Sequence, residues 1–488
     1  QAGLDEALRA ARALPEPPAA LADIATRVES ARLVTYWAAA MKDRGDRCDL
    51  EAGMAKLHAS EAAQAVAVEA MKIEGVRAQL ASGLVERLYR DAPLMIIGEG
   101  TNEIQRLIIC RNLLERYGER TGALTSRDEL PGEQKQLVLA VRQAVEKDVV
   151  PVAAEQDQGR RDPEPLVAQL AELGIFGALA DVEHGGLGLP LATAAMLVEE
   201  VARGSAALAL WLSAQLAATL AVARSLSRET RERLLPPMTR GERWTAPVVG
   251  ASIGARRAGA DWVLTGSAPV VPNAGRAKLF LVNAALENGG ARCFAIEAGR
   301  AGLTVGLASD TVGLRGLAAA DAVLVGVRLG PAAALREGGE ILLEAVTNVG
   351  AAATAVGLAQ AAFEAALRYS QQRSTFGKPI CQHQAVQLKL ADMATAITAA
   401  RLLTGRAAER LDADARDDTA AAMARLAAGE AAYMVTLEAM RIHGGYGYTS
   451  EFPVERYYRD AAALLVGPRD QVGERRRIAV RRLEDSGR

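Results

Sequence analysis

Histidine and cysteine are scarce in this chain, four of each in 488 residues. Cys48, Cys110, Cys293 and Cys381 stand far apart, with no CxxC pair and no His/Cys cluster. That spacing excludes a disulfide framework and a zinc ribbon, so no metal site is expected and a reducing, cytoplasmic setting is. A surplus of positive charge is also missing: 57 Lys and Arg stand against 59 Asp and Glu. Nucleic-acid binding therefore has no electrostatic footprint. The longest apolar run, near Ala206 to Ala223, is Ala-rich and interrupted by Ser213, Gln215 and Thr219. It fits a buried bundle helix and not a membrane span. The first residues already lie in an amphipathic pattern, from which no signal peptide is expected. What the chain does have is length and apolar content. Half of its residues are apolar, enough for several packed domains.

It also has a repeat. EAMKIEGVRAQLASGLVERLYRDA (Glu69 to Ala92) matches EAMRIHGGYGYTSEFPVERYYRDA (Glu438 to Ala461) at 12 of 24 positions and an offset of 369. LADIATRVESARL from Leu21 matches LADMATAITAARL from Leu390 at the same offset. A period this long is no solenoid and implies a duplicated whole protein. The second copy reads as complete. Helical spacing runs from about 129 to 238, with the turn EHGGLG at Glu183 to Gly188. Short runs such as WVLTG, KLFLVNA, RCFAIEA and DAVLVGVRL, punctuated by Gly, Asn and Pro, mark a β domain over 239–336. Long Ala/Leu helices follow over 337–488. The first copy, residues 1–118, supplies only that last part. Equal copies would place 369 − 129, about 240, further residues of the first ahead of Gln1.

Four motifs stand in order: RSTFGKPICQHQAVQ (Arg373 to Gln387), RIHGGYGY, VERYYRD and, in the first copy, GEGTNEIQR. Together with the helix–β–helix order they resemble the acyl-CoA dehydrogenase family. The resemblance implies a mainly helical α+β fold: an N-terminal helical domain, a middle β domain and a C-terminal four-helix bundle, here in tandem with the first copy truncated. It implies FAD as cofactor, an acyl-CoA substrate, dehydrogenation to a trans-2-enoyl-CoA, and electron-transfer flavoprotein as partner.

By the same resemblance Glu99 is the catalytic base, placed to take the α-proton of the thioester while the β-hydrogen leaves as hydride to the flavin. Thr101 and Glu103 would face the cofactor. Arg373 would reach the pyrophosphate of an FAD held by the partner unit, with Thr375, Phe376 and Gln384 on the same segment. Gly444 and Gly445 would let backbone N–H groups approach it, and Arg441 stands where the family usually has Gln.

The copies depart from the pattern in complementary ways. The second has Pro468 where the base belongs, Thr347 at the alternative base position, and Glu344 almost a turn away from it. Its flavin-loop region reads TAPVVGASIG. The first has LDEALRAARALPEPP and IEGVRA where the second has its Arg-x-x-Phe-Gly segment and Gly-Gly loop. The two halves therefore divide one site: the first keeps the base and the second keeps the partner-side flavin contacts. This division is similar to the heteromeric dehydrogenases of actinobacterial steroid degradation, above all their fused tandem forms. Gly98, ahead of the base, would leave room for a bulky acyl group. An acyl-CoA oxidase and a non-catalytic scaffold of the same fold are the competing readings. Two tandem chains are expected to form a dimer that imitates a tetramer.

Overall fold

The computed structural model describes residues 1–118, 127, 130–413, 418–467 and 471–486. Pro468 lies outside the described residues.

Five helices form the first copy: α1 (Ala2–Ala11), α2 (Ala20–Asp43), α3 (Asp49–Glu74), α4 (Leu84–Ile97) and α5 (Asn102–Tyr117). The N-terminal part of the second copy is also helical: α6 (Gly132–Ala144), α7 (Ala153–Asp157), α8 (Glu164–Glu172), α9 (Leu191–Gly204), α10 (Ala206–Ser225) and α11 (Arg228–Thr239). The apolar run near Ala206 is α10, almost wholly buried in the bundle core. Seven strands follow: β1 (Thr245–Val248), β2 (Ser252–Ala258), β3 (Asp261–Val271), β4 (Leu279–Leu286), β5 (Ala291–Glu297), β6 (Leu303–Ala308) and β7 (Ala320–Leu329). They form a mainly antiparallel sheet in the order β1-β4-β2-β3-β7-β6, with β5 also paired to β4. Its inward residues, among them Phe280, Phe294 and Leu264, make a core of their own. Helix α12 (Gly339–Gln372) then leads into a two-stranded hairpin, β8 (Ser374–Thr375) and β9 (Lys378–Pro379). The chain closes with α13 (Gln384–Ala413), α14 (Asp418–His443), α15 (Val454–Val466) and α16 (Gln471–Asp485).

The duplication seen in the sequence is a duplication of structure. Shifting α3 by 369 residues gives Asp418 to His443, the bounds of α14. The 3₁₀ turn Gly75–Gln79 maps in the same way onto Gly444–Tyr448. The copies differ ahead of these elements. The connector between α1 and α2 is residues 12–19, whereas 373–383 joins α12 to α13, and at the 369-residue offset α1 falls on 371–380, across the hairpin. Much of the segment LDEALRAARALPEPP, the first copy's counterpart of the Arg-x-x-Phe-Gly segment, is therefore helix. Leu4, Ala7, Leu8 and Ala11 recur at helical spacing and are buried. Only Arg12 to Ala19 is left as connector.

The copies share one core. Val34, Ala38, Leu57 and Ile109 of the first copy lie in the same apolar cluster as Leu390, Ile397 and Leu403 of the second. Met423, Leu426 and Ile478 of the second join Leu21, Ile24 and Val66 of the first. Helix α5 packs on α13 and α16 packs on α2, which is the pattern of an internal two-fold axis.

Candidate active site

Glu99 lies in the short loop between α4 and α5. Its own φ is +52° and that of Gly100 is +82°. A non-glycine residue in this region costs free energy, so the surroundings must hold it there. Four side chains do so. Lys56, on α3, donates to the Ile96 carbonyl at 3.1 Å, the Gly100 carbonyl at 2.9 Å and Asn102 Oδ1 at 2.8 Å. Asn102 is buried and donates through Nδ2 to Ser60 Oγ at 3.0 Å. Gln105 Nε2 donates to the Glu99 carbonyl at 3.1 Å. The Glu99 carboxyl itself is exposed.

Thr101 caps α5 by accepting from the Ile104 N–H at 3.5 Å. Glu103, in the first turn, has its carboxyl held below the usual range, first by its own backbone N–H and then by the Thr101 hydroxyl. Both side chains are thus tied to the helix start that fixes the Glu99 loop. The lysine–asparagine–serine bracing was not read from the sequence, because Lys56 and Ser60 lie about 40 residues from Glu99 and only the α3–α4–α5 fold brings them together.

The partner-side residues gather at the ends of α12 and α14. Arg373 follows α12, and its guanidinium makes no hydrogen bond or ion pair among the described residues. Thr375 pairs with Lys378 across the hairpin, leaving Phe376 and Gly377 as the two loop residues, with φ +50° and +79°. Two positive φ values in a two-residue loop are the pattern of a type I′ turn, which is costly for a phenylalanine. The ring is presented to solvent, 96% exposed. Gln384, the first residue of α13, is exposed. Arg441 differs from Arg373: it is bonded to Glu438 at 2.5 Å.

A Cβ placed on Gly444 or Gly445 would meet no atom within 4 Å, so open space lies above both glycines. Gly447 is a glycine for another reason: its Cβ would sit 2.4 Å from the Met440 carbonyl. Beneath these loops Tyr369 stacks on His443 with ring centroids 4.3 Å apart, and Phe452 meets both rings edge-on. Burial holds the His443 imidazole below its ordinary pKa, and its Nδ1 donates to the Ala439 carbonyl at 2.8 Å. This aromatic stack couples the α12 end that carries Arg373 to the α14 end that carries Gly444.

Two contacts tie the copies together along α5. Arg106, seven residues from Glu99, pairs with Asp392 on α13 at 2.6 Å. Gln371, two residues before Arg373, donates to the Gly118 carbonyl at the end of α5 at 3.0 Å. Helix α5 therefore runs alongside α13, with Glu99 just ahead of its start.

The C-terminal domain model of the acyl-CoA dehydrogenases matches residues 18–114 and 345–467, and the N-terminal domain model matches 131–242. The chain is 35% identical over 353 residues to the bovine short-chain specific acyl-CoA dehydrogenase, covering 68% of this chain and 86% of that one. This chain belongs to the acyl-CoA dehydrogenase family. It is also 35% identical over 344 residues to cyclohexane-1-carbonyl-CoA dehydrogenase of Geobacter metallireducens, covering 66% of this chain and 90% of the other. Among solved structures, butyryl-CoA dehydrogenase of Megasphaera elsdenii superposes with a TM-score of 0.66 at 30% identity, over 71% of this chain and 96% of that one. The family consists of oxidoreductases acting on CH–CH bonds with FAD, and its reaction is dehydrogenation of an acyl-CoA to an enoyl-CoA.

The free Arg373 guanidinium, the exposed Phe376 ring and the open glycines fit the phosphate side of FAD. The polar ties of the β sheet's loops to the C-terminal helices run to α15. The Leu314 N–H donates to Asp460, and Arg459 donates to the Val312 carbonyl. Among the described residues none runs from that sheet to α4, α5 or the Glu99 loop.

Proposed function

We propose that the tandem unit works as one FAD-dependent acyl-CoA dehydrogenase site, with Glu99 as base and with Arg373, Thr375, Phe376, Gln384, Gly444 and Gly445 as the flavin contacts. One observation carries this reading: each copy keeps intact what the other has lost. The second copy carries Pro468 for Glu99, Arg425 for Lys56, Gly429 for Ser60, Gln471 for Asn102 and Glu474 for Gln105. The base and its whole bracing were replaced together. The first copy, in turn, has helix α1 in place of the hairpin that carries Arg373 and Phe376.

FAD, when bound, supplies the acceptor for the β-hydrogen as hydride. The chain's own part is to hold the Glu99 carboxylate over the α-carbon through a loop fixed by Lys56 and Gln105. Arg373 would neutralise phosphate charge with a guanidinium that no other described residue occupies. Electrons would pass to an electron-transfer flavoprotein. Support for this comes from a chain in the structure of the electron-transferring flavoprotein of Acidaminococcus fermentans, which matches at 28% identity and a TM-score of 0.67. Two tandem chains would then form a pseudo-tetramer around the shared helical core.

A bulky, steroid-type acyl group is the finer substrate reading, favoured by Gly98 ahead of the base. Gly467, at the same place in the second copy, is also glycine. A Cβ on Gly98 would sit 3.0 Å from the Leu94 carbonyl, so the helix end accounts for this residue as well.

Glu99→Gln in the FAD-loaded enzyme tests the base. Turnover should fall by more than the roughly 10²–10⁴ of general-base catalysis alone, with flavin content unchanged. More than a tenth of the activity remaining would overturn the assignment. Glu344→Gln should be close to neutral.

A further inference from the structure

Arg373 and the Gly444–Gly445 turn stand at the ends of two different helices, α12 and α14. What joins the two ends is aromatic. Tyr369 lies one turn before Arg373, and its carbonyl accepts from the Arg373 N–H at 2.9 Å. His443 directly precedes Gly444. The two rings stack with centroids 4.3 Å apart and planes 23° from parallel. Phe452 closes the group edge-on, 5.5 Å from Tyr369 and 5.3 Å from His443. His443 is buried, and its lowered pKa leaves the imidazole uncharged at neutral pH. On the hairpin side the Ile380 N–H donates to the Arg373 carbonyl at 2.8 Å, so the hairpin closes on the same residue.

The first copy shows that the helix and its turn do not require these rings. Helix α3 and the 3₁₀ turn after it match α14 and its turn at the 369-residue offset. Gly75 even keeps the positive φ of Gly444, +70° against +60°. Yet Glu74 stands for His443 and Gly83 for Phe452. Helix α1, which packs on α3 as α12 packs on α14, has no aromatic residue. The rings are present in the copy that has the hairpin and absent from the copy that lacks it.

We propose that Tyr369, His443 and Phe452 are positioning residues for the cofactor: their stack sets the spacing between Arg373 and the Gly444–Gly445 turn, so that guanidinium and backbone N–H groups meet one dinucleotide phosphate group together. This rests on the flavin reading above. The physical reason is pre-organisation. A charged contact on a loose helix end must be ordered at the moment of binding, and that cost is subtracted from affinity. Stacked rings are stiff and hold a narrow range of separations and angles. The stack contributes no more than the contact that it places, so the loss of Arg373, roughly tenfold to a hundredfold, is the ceiling on its effect.

The test is FAD affinity, measured by titrating FAD into enzyme stripped of its cofactor and following flavin fluorescence, with urea midpoints recorded alongside. Tyr369→Leu should weaken binding about tenfold, inside that ceiling. Tyr369→Phe, which keeps the ring, should restore the affinity to within about twofold of the parent. In an Arg373→Ala background, Tyr369→Leu should cost less than about twofold more, because no spacing remains to be kept. Phe452→Leu repeats the measurement at a half-buried ring, in case Tyr369→Leu does not fold. A purely structural stack would lower the urea midpoint and leave FAD affinity at the parent value, and that result overturns the proposal. Equal losses with and without Arg373 overturn it as well. A parent enzyme that takes up no FAD overturns the flavin reading itself, and the stack proposal with it, so the two failures are told apart.

Discussion

Arg106 donates to Asp392 at 2.6 Å, and Arg475 donates to Asp23 at 2.8 Å. The two arginines lie 369 residues apart, and so do the two aspartates, with their order reversed. Each arginine also reaches a glutamate of its own copy, Glu61 or Glu430. One ion-pair network is thus written twice, once on each side of the internal axis, and each crosses from one copy to the other.

The pair at Arg106 fastens the helix behind the Glu99 loop to the helix behind the hairpin that carries Thr375 and Phe376. Burial holds the Asp392 carboxyl above its usual range even with Arg106 beside it. Removing the arginine leaves a partly buried charge uncompensated. Arg106→Leu should cost about 1–3 kcal/mol in urea unfolding, and Asp392→Asn in the same molecule should recover part of it. A coupling energy below about 0.3 kcal/mol in the double-mutant cycle would remove the pair from the inter-copy interface.

Lys56→Met leaves the Ile96 and Gly100 carbonyls and Asn102 without their shared donor. A base displaced by about an ångström can lose on the order of a hundredfold in rate. The expected outcome is kcat lower by roughly tenfold to a hundredfold, with flavin content unchanged and faster amide exchange over residues 98–102. Lys56→Arg, the twin's residue, should restore only part of the rate. A kcat within twofold of the parent would exclude Lys56 from positioning the base.

Arg373 and Arg441 should behave differently, because only the first is free. Arg373→Ala should weaken FAD binding by roughly tenfold to a hundredfold, the range of a charge-assisted contact. Arg441→Ala, which mainly releases Glu438, should change it much less. Phe376→Gly relieves the positive φ at the hairpin tip, so the protein should melt no lower, while retaining less flavin after dialysis. Equal effects of the two arginine changes would argue against Arg373 as the phosphate ligand.

His58 predicts an acid sensitivity. Burial first, and then the Arg27 charge, pushes its imidazole from 6.5 down to about 4, and its Nε2 sits 2.8 Å from the Ser30 hydroxyl. Between those two values the unfolded chain takes a proton that the folded chain refuses. Stability is therefore full above about pH 6.5 and falls as the pH drops toward 4, by up to roughly 3 kcal/mol. His58→Ala, the twin's residue at Ala427, should flatten this slope. Urea midpoints at pH 7 and pH 4.5 for both proteins check it. Identical slopes would show that other groups carry the acid response.

The sequence by itself determined the duplication, the order of helices, strands and helices, and the division of motifs between the copies. These features are local or periodic. Leu4, Ala7, Leu8 and Ala11 declare a helix by their spacing, and the 369-residue offset needs only identity. Tertiary structure alone decided three further things. It bent α3, α4 and α5 so that Lys56 and Asn102 brace the Glu99 loop. It stacked Tyr369 on His443 beside the hairpin that carries Thr375 and Phe376. It also left Arg90 and Asp91 bare where Arg459 and Asp460 are covered. The reason is physical. A side chain's partners are set by which faces meet in space, and the near-identical VERLYRDA and VERYYRDA read alike until one is buried and the other is not.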